Sequence, residues 1–260
     1  MLSLRKSMKQ HKSIFVLGLM TLGVLIAPSS AKAATFEYKS WSTDAEFISI
    51  LNKGDFKELF VAEGRIGNNS SSSAERELKI NGDVQQGAPV SIQDDFVWGN
   101  GNLWDFTLEY TGSKVNYTLG GKLLSSTDFK GSASDIFLRT AATTNSTMTL
   151  SNLLFNNKEM KNSQGQKISS VSSVGTSSKK DIDYLQISDI TSPFTITGKA
   201  AMSWTGTQPL RSNLAFQIKV GNSPKNIQVP EPGTLGAIFV IGITGAVATK
   251  RKKVAKIGLA

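Results

Sequence analysis

The 260-residue chain has no cysteine, and its single histidine, His11, lies in a basic N-terminal leader. Without cysteine there is no disulfide framework, so an ordinary apolar core must hold the fold. Beyond the leader there is neither Cys nor His. That removes the usual zinc, copper and iron ligand sets, the Ser-His-Asp triad and the Cys-His pair, and leaves carboxylate, Lys, Tyr or Ser chemistry. An excess of charge is also missing from the body. The formal net charge is +9, but Arg5, Lys6, Lys9, Lys12 and Lys32 supply +5, and Lys250, Arg251, Lys252, Lys253 and Lys256 against Glu231 supply +4. The 19 basic and 19 acidic residues from Ala34 to Val229 balance. A neutral body has no field to steer it toward phosphate backbones, so nucleic acid is not an expected partner.

What is present begins with two targeting ends. Met1 to Lys12 is basic, Ile14 to Ala27 is apolar, and Ala31-Lys32-Ala33 has the small residues of a cleavage site. This order predicts a signal peptide over 1–33, removed by signal peptidase after Ala33. At the other end, Leu235 to Thr249 is apolar and precedes the basic cluster Lys250, Arg251, Lys252 and Lys253. As a helix, Gly233 to Thr249 would be about 25 Å long, which suits a short single-pass transmembrane helix or a core helix. The basic cluster would stay on the cytoplasmic side with 254–260 as a cytoplasmic tail, leaving everything before Pro230 outside.

The order of Val229-Pro230-Glu231-Pro232, short apolar segment and basic stop resembles the PEP-CTERM sorting signal of exported bacterial proteins. In that family a membrane enzyme of the exosortase type recognises and processes the Pro-Glu-Pro box. Here Pro230, Glu231 and Pro232 match the box, 233–249 the helix and Lys250 to Lys253 the stop; the extra tail from Val254 to Ala260 departs from the pattern. The resemblance covers only the segment from Val229 onward. It implies delivery to the cell envelope, outer surface or extracellular matrix, with a membrane contact during sorting and a transient or permanent single-pass anchor.

Between the ends, strand signals dominate. Thr35 to Lys39 reads as a strand, and Thr43-Asp44-Ala45-Glu46 as the capping box of one short helix carrying Phe47, Ile50 and Leu51, ended by Gly54. Leu59 to Glu63 reads as a further strand. Trp104, Phe106, Leu108 and Tyr110 alternate with polar residues, as do Val115, Tyr117 and Leu119 after Gly112-Ser113, which predicts a hairpin with one buried face. Further strands are expected at Asp135 to Arg139, Thr147 to Phe155, Tyr184 to Ser188, Phe194 to Trp204 and Leu214 to Val220. Many short strands separated by Gly, Asn and Ser turns predict an all-β fold. Its expected form is an antiparallel β-sandwich over 34–220, jelly-roll or concanavalin-like, with one short N-terminal helix and the C-terminal transmembrane helix. The Ser-rich segment 156–180 reads as a polar loop or insert, and 221–228 as a linker.

Asp44-Ala45-Glu46-Phe47, Glu58 to Glu63, Phe106 to Tyr110 and Leu150 to Leu153 resemble the choice-of-anchor W family, exported domains common in cyanobacteria. No biochemical activity comes with that resemblance.

Site candidates in the body are few. Trp41 and Trp98 offer rings for stacking on sugars, which would make the domain a lectin-like module for extracellular polysaccharide; against this, Trp104 and Tyr110 alternate in phase with Phe106 and Leu108, and core is the stronger reading of such aromatics. Asp94, Asp95, Asp181 and Asp183 are loop carboxylates of the type calcium takes, without the spacing of a calcium loop, so no metal site is assigned. A glycosidase pair would need two such carboxylates to converge. Gly99 and Gly101 lack the third glycine and the helix of a phosphate cradle. The four Asn-x-Ser/Thr triplets at Asn68, Asn69, Asn116 and Asn145 are of a kind that a Ser/Asn-rich chain gives by chance. The two targeting ends, the neutral body and the missing catalytic residues together predict an exported, non-catalytic structural or interaction domain with no cofactor.

Overall fold

The alternation of apolar and polar residues builds two antiparallel sheets, which enclose one principal core. In the computed structural model the described residues are 33–66, 78–82, 90–143, 145–209 and 213–224. They belong to a compact unit that starts at Ala33. The first elements are β1 (Thr35–Lys39), α1 (Asp44–Asn52), β2 (Lys57–Ile66), β3 (Leu78–Asn81) and β4 (Val90–Asp94). A meander follows, with β5 (Leu103–Tyr110), β6 (Val115–Leu119) and β7 (Lys122–Ser126). Next come β8 (Asp135–Ala142), β9 (Ser146–Phe155), β10 (Lys158–Lys161), β11 (Lys167–Ile168) and β12 (Ser170–Val174). The described part closes with β13 (Asp181–Ser188), β14 (Phe194–Trp204) and β15 (Leu214–Asn222).

One sheet has the order β1-β13-β8-β15-β2-β3-β4; the other has β11-β10-β9-β14-β5-β6-β7, with β12 also pairing β9. Because side chains alternate across a strand, register decides which row faces the core. In the seven-stranded sheet Leu185, Leu138, Ile218, Ala62 and Ile80 are paired in one row, and all are fully buried between the sheets. The opposing wall is the predicted hairpin: Phe106, Leu108, Tyr110, Val115, Tyr117 and Leu119 all point inward. Gly64 lies on the inner face because a Cβ there would come within 2.5 Å of the Phe216 ring and 2.8 Å of Trp98.

The short helix forms where its capping signal stands. The Thr43 hydroxyl accepts the Ala45 N–H at 3.2 Å and donates to Glu46 at 2.5 Å, while Gly54, at φ +74°, lets the chain turn out of the helix. Phe47, the buried residue of α1, packs with Phe56, Phe137, Ala141, Ile182 and Tyr184 in a second apolar cluster on the outer face of the seven-stranded sheet. Thr43→Ala is expected to cost about 1 kcal/mol of stability, as loss of an N-cap does, readable as a small fall in melting temperature.

Three expectations need correction. The segment 156–180, read as a polar loop or insert, carries β10, β11 and β12, with Met160, Ile168 and Val171 buried. The described residues also lack the membrane element of the expected fold class. No helix among the described residues is long and apolar enough to cross a membrane, so the fold is a two-sheet β domain with one short helix. The expected transmembrane helix at 233–249, and with it the membrane anchor, has no support in the structure; that segment lies outside the described residues. So do Ala31, Val229, Pro230, Glu231, Pro232, Lys250, Arg251, Lys252 and Lys253. Gly221 and Asn222, read as linker, complete β15.

Candidate functional site

One residue away in register from the apolar row, the seven-stranded sheet carries its opposite. Lys39, Tyr184, Arg139, Gln217, Glu63, Lys79 and Gln93 are paired one to the next across all seven strands. This belt runs over the outer face, and α1 covers one end of it. Between α1 and the belt lies a cleft of about 330 Å³, lined by Asp44, Phe47, Ile48 and the belt residues from Tyr184 to Lys79, with Arg65 and Lys219.

The charges in the cleft are fixed by contacts. Arg139 donates to both carboxylate oxygens of Asp44, from Nε at 2.6 Å and Nη2 at 2.7 Å, and the Tyr184 hydroxyl donates to Asp44 at 2.7 Å. Lys219 donates to Glu58 at 2.9 Å, and its ammonium sits 4.7 Å from the centre of the Phe47 ring. Glu63 accepts from Gln217 at 2.7 Å through Oε2, while its Oε1 lies 3.4 Å from both Arg65 Nε and Lys79 Nζ. The bidentate pair ties α1 to β8, and the Lys219–Glu58 pair ties β15 to β2.

Electrostatics fix the protonation states. Burial alone would raise the Asp44 carboxyl, but the Arg139 hydrogen bonds and charge, with Tyr184 and Lys180, outweigh it and hold it below the ordinary 3.8. The stabilisation from Asp44 is therefore full above pH 3.8 and is lost as pH falls through its lower folded value. Burial, and then the Asp44 charge, push the Tyr184 phenol well above its ordinary 10 against the opposing pull of Arg139. Burial would lower the Arg139 guanidinium, but Asp44 more than offsets it. Near neutrality Asp44 stays ionised and Tyr184 and Arg139 stay protonated. The cleft offers fixed charges and hydrogen-bond donors, which is equipment for holding a polar group.

The sequence-derived candidates lie elsewhere. Trp98 is only 3% exposed, donates its indole N–H to the Arg65 carbonyl at 3.1 Å, and packs edge-on against Phe96 and Phe216, so it is no sugar platform. Trp41 is half-buried: it stacks on Phe137 and meets Phe47 and Tyr184 edge-on, with Lys39 above its ring. Its ring area is engaged in docking α1.

Asp94 pairs with Lys122 at 3.0 Å, and its Oδ1 accepts the Asp95 N–H; Asp95 is exposed beside it. Asp181 accepts the Val174 N–H at 2.7 Å, and Asp183 accepts the Ser173 hydroxyl at 3.1 Å. β4 and β13 are five strands apart in the sheet, about 24 Å at the usual strand spacing, so Asp94 and Asp95 do not converge with Asp181 and Asp183 as a glycosidase pair would. Among the described residues no group of three or more Asp, Glu, His or Cys could hold a metal.

Burial, then the charge of Asp181, push the Asp183 carboxyl above its ordinary 3.8. A carboxyl raised in the folded state binds its proton more tightly there than in the unfolded chain, so its ionisation costs stability as pH rises past 3.8. Asp183→Asn is expected to raise the melting temperature near neutrality and to leave it unchanged well below pH 3.8, as thermal melts at the two pH values will read.

Ala33 lines a second groove, about 650 Å³, formed by β1 and the turn between β10 and β11. It brings together fewer ionisable groups than the first cleft. The belt residues Arg139, Glu63, Lys79 and Gln217 escape sequence reading because their proximity depends on strand pairing. The one local signal is a charge interrupting an apolar strand, as Glu63 does after Phe60-Val61-Ala62 and Arg139 after Ile136-Phe137-Leu138. No protein-family model matches this chain, and no curated protein matches it either.

Proposed function

We propose that the chain is an exported, non-catalytic interaction domain that works in the cell envelope or the surrounding matrix and presents the charged cleft of its seven-stranded sheet to a partner. The observation that carries this reading is the cleft: Asp44, Arg139 and Tyr184 are joined by hydrogen bonds that keep Asp44 ionised and the other two protonated, which suits retention of a ligand and not proton transfer. Cysteine is absent, and no metal-binding group of three occurs among the described residues. The described residues form a mostly β-sheet domain with no cysteine and no metal-holding group of three among them, consistent with a structural or interaction role.

Export rests on the sequence ends. In this proposal signal peptidase removes the leader, and an exosortase-type enzyme processes the Pro230-Glu231-Pro232 box. Fractionating cells that express the full chain, and cells that express a chain lacking 230–260, tests the sorting role. The truncated chain is expected to distribute differently from the full one; identical distributions would remove the sorting role.

A further inference from the structure

β1 ends the seven-stranded sheet, and among the described residues no backbone group pairs with its outer edge. Beside it the groove of about 650 Å³ follows every residue from Ala33 to Tyr38, with the turn from Lys161 to Gln164 across from them. At the far side of the sheet the edge strand β4 is tied across to β7, where Lys122 meets Asp94 at 3.0 Å. An open strand edge is a template for another strand, and proteins commonly guard it with proline, a bulge or repelling charges. β1 has no proline and no register shift against β13, and its two charges, Glu37 and Lys39, are of opposite sign.

Those charges select a partner and a register. Lys39 belongs to the outer belt, so Thr35 and Glu37 share its face and Phe36 and Tyr38 take the other. A second β1, laid antiparallel along the first, keeps the faces of the sheet continuous only in registers two residues apart. Centred on Glu37, the pairing sets two carboxylates against each other; centred on Lys39, it sets two ammoniums against each other. Centred on Tyr38, it places Glu37 of each copy opposite Lys39 of the other, and the two tyrosines opposite one another, both favourable pairs. Within one strand Glu37 and Lys39 lie 3.1 Å apart, so the four groups form an alternating quartet. Tyr38 is 51% exposed and Glu37 70%, which leaves both open to a second chain.

We propose that the protein self-associates through β1, two copies joining antiparallel about Tyr38 into one continuous sheet. An edge of five residues gives an association of the weak, reversible class. The two-fold axis stands perpendicular to the sheet, so both charged clefts face the same way. The two Arg139 residues are then five strand spacings, about 24 Å, apart across the sheet. On the reading of the body as an interaction domain, a polymeric partner is held at two clefts at once. The pairing itself does not depend on that reading.

The test is sedimentation equilibrium of the purified full chain over a range of concentrations. A reversible monomer–dimer equilibrium is expected. Glu37→Lys should weaken it about tenfold or more, since two repelling pairs replace two attracting ones. Adding Lys39→Glu to Glu37→Lys sets opposite charges across the axis again and should bring the dimer back. Monomer at every concentration, a dimer indifferent to Glu37→Lys, or a double variant as monomeric as the single would overturn the proposal.

Should the double variant fail to fold, because Lys39 also sits over the Trp41 ring, a cross-link decides. The chain has no cysteine, so Tyr38→Cys supplies one thiol, placed at the axis. Residues directly opposite in an antiparallel pair have Cα atoms about 4.5–5.5 Å apart, within disulfide range. Mild oxidation should link Tyr38→Cys into dimers much faster than Lys114→Cys, whose position is in the exposed β5–β6 turn. Equal rates would overturn the proposal. A monomeric protein leaves the export and interaction readings standing, and a dimer whose clefts take no partner removes the interaction reading alone.

Discussion

Lys219→Met is expected to destabilise the domain by about 3–5 kcal/mol, because removing one partner of a buried ion pair leaves the other charge in the interior. The Glu58 side chain is fully buried and that of Lys219 is 5% exposed, so solvent cannot replace the lost ammonium without opening the packing. The substitution also removes the cation over the Phe47 ring. If the loss comes from the stranded charge, removing both charges should restore most of it: Glu58→Met with Lys219→Met is expected to approach the stability of the unsubstituted protein, since apolar replacements of buried pairs are often near neutral. Denaturant unfolding of the three variants measures this. A single Lys219→Met with unchanged stability, or a double variant no better than the single, would mean that the pair is not the linchpin between β2 and β15.

Phe137→Ala should be comparably damaging, at about 3–5 kcal/mol for truncating a large buried aromatic. Phe137 joins α1 to the sheet: its ring lies 5.0 Å from Phe56, 5.3 Å from Phe47 and 5.6 Å from Trp41. It is buried in the outer cluster and takes no part in the core between the sheets, so its loss should loosen α1 first. Because Phe47 and Ile48 of α1 form one wall of the cleft, the variant should lose the cleft while keeping its sheet signal. A red-shifted Trp41 fluorescence with a retained β-type circular dichroism spectrum is the expected result. An unaltered melt would show that α1 docks by the Arg139–Asp44 bridge alone.

How far the fold could be read in advance depended on local pattern. The β5–β6 hairpin was legible because Phe106, Leu108 and Tyr110, then Val115, Tyr117 and Leu119, repeat at the period of a strand with turn residues between them. Likewise α1 was legible from Thr43 and Glu46, whose side chains form the cap. The strands β10 to β12 were not, since they are two to five residues long and each offers only one or two large apolar side chains among Ser and Lys. Buried Ser173 adds to the disguise: it sits inward where a strand pattern calls for an apolar residue, and hydrogen-bonds Thr140 and Asp183 instead. The cleft was the least legible part. Its members come from five strands and a helix, and only the pairing register brings Arg139, Gln217, Glu63 and Lys79 into line. Aromatic residues drew attention as candidate sugar platforms, yet Trp98 serves the core and Trp41 the docking of α1.

Export with trimming at both ends is read in one step from the intact mass of the protein collected from outside the producing cells. A chain that begins at Ala34 and ends between Val229 and Pro232 is the expected result. A mass corresponding to all 260 residues, from Met1 through Ala260, would contradict it.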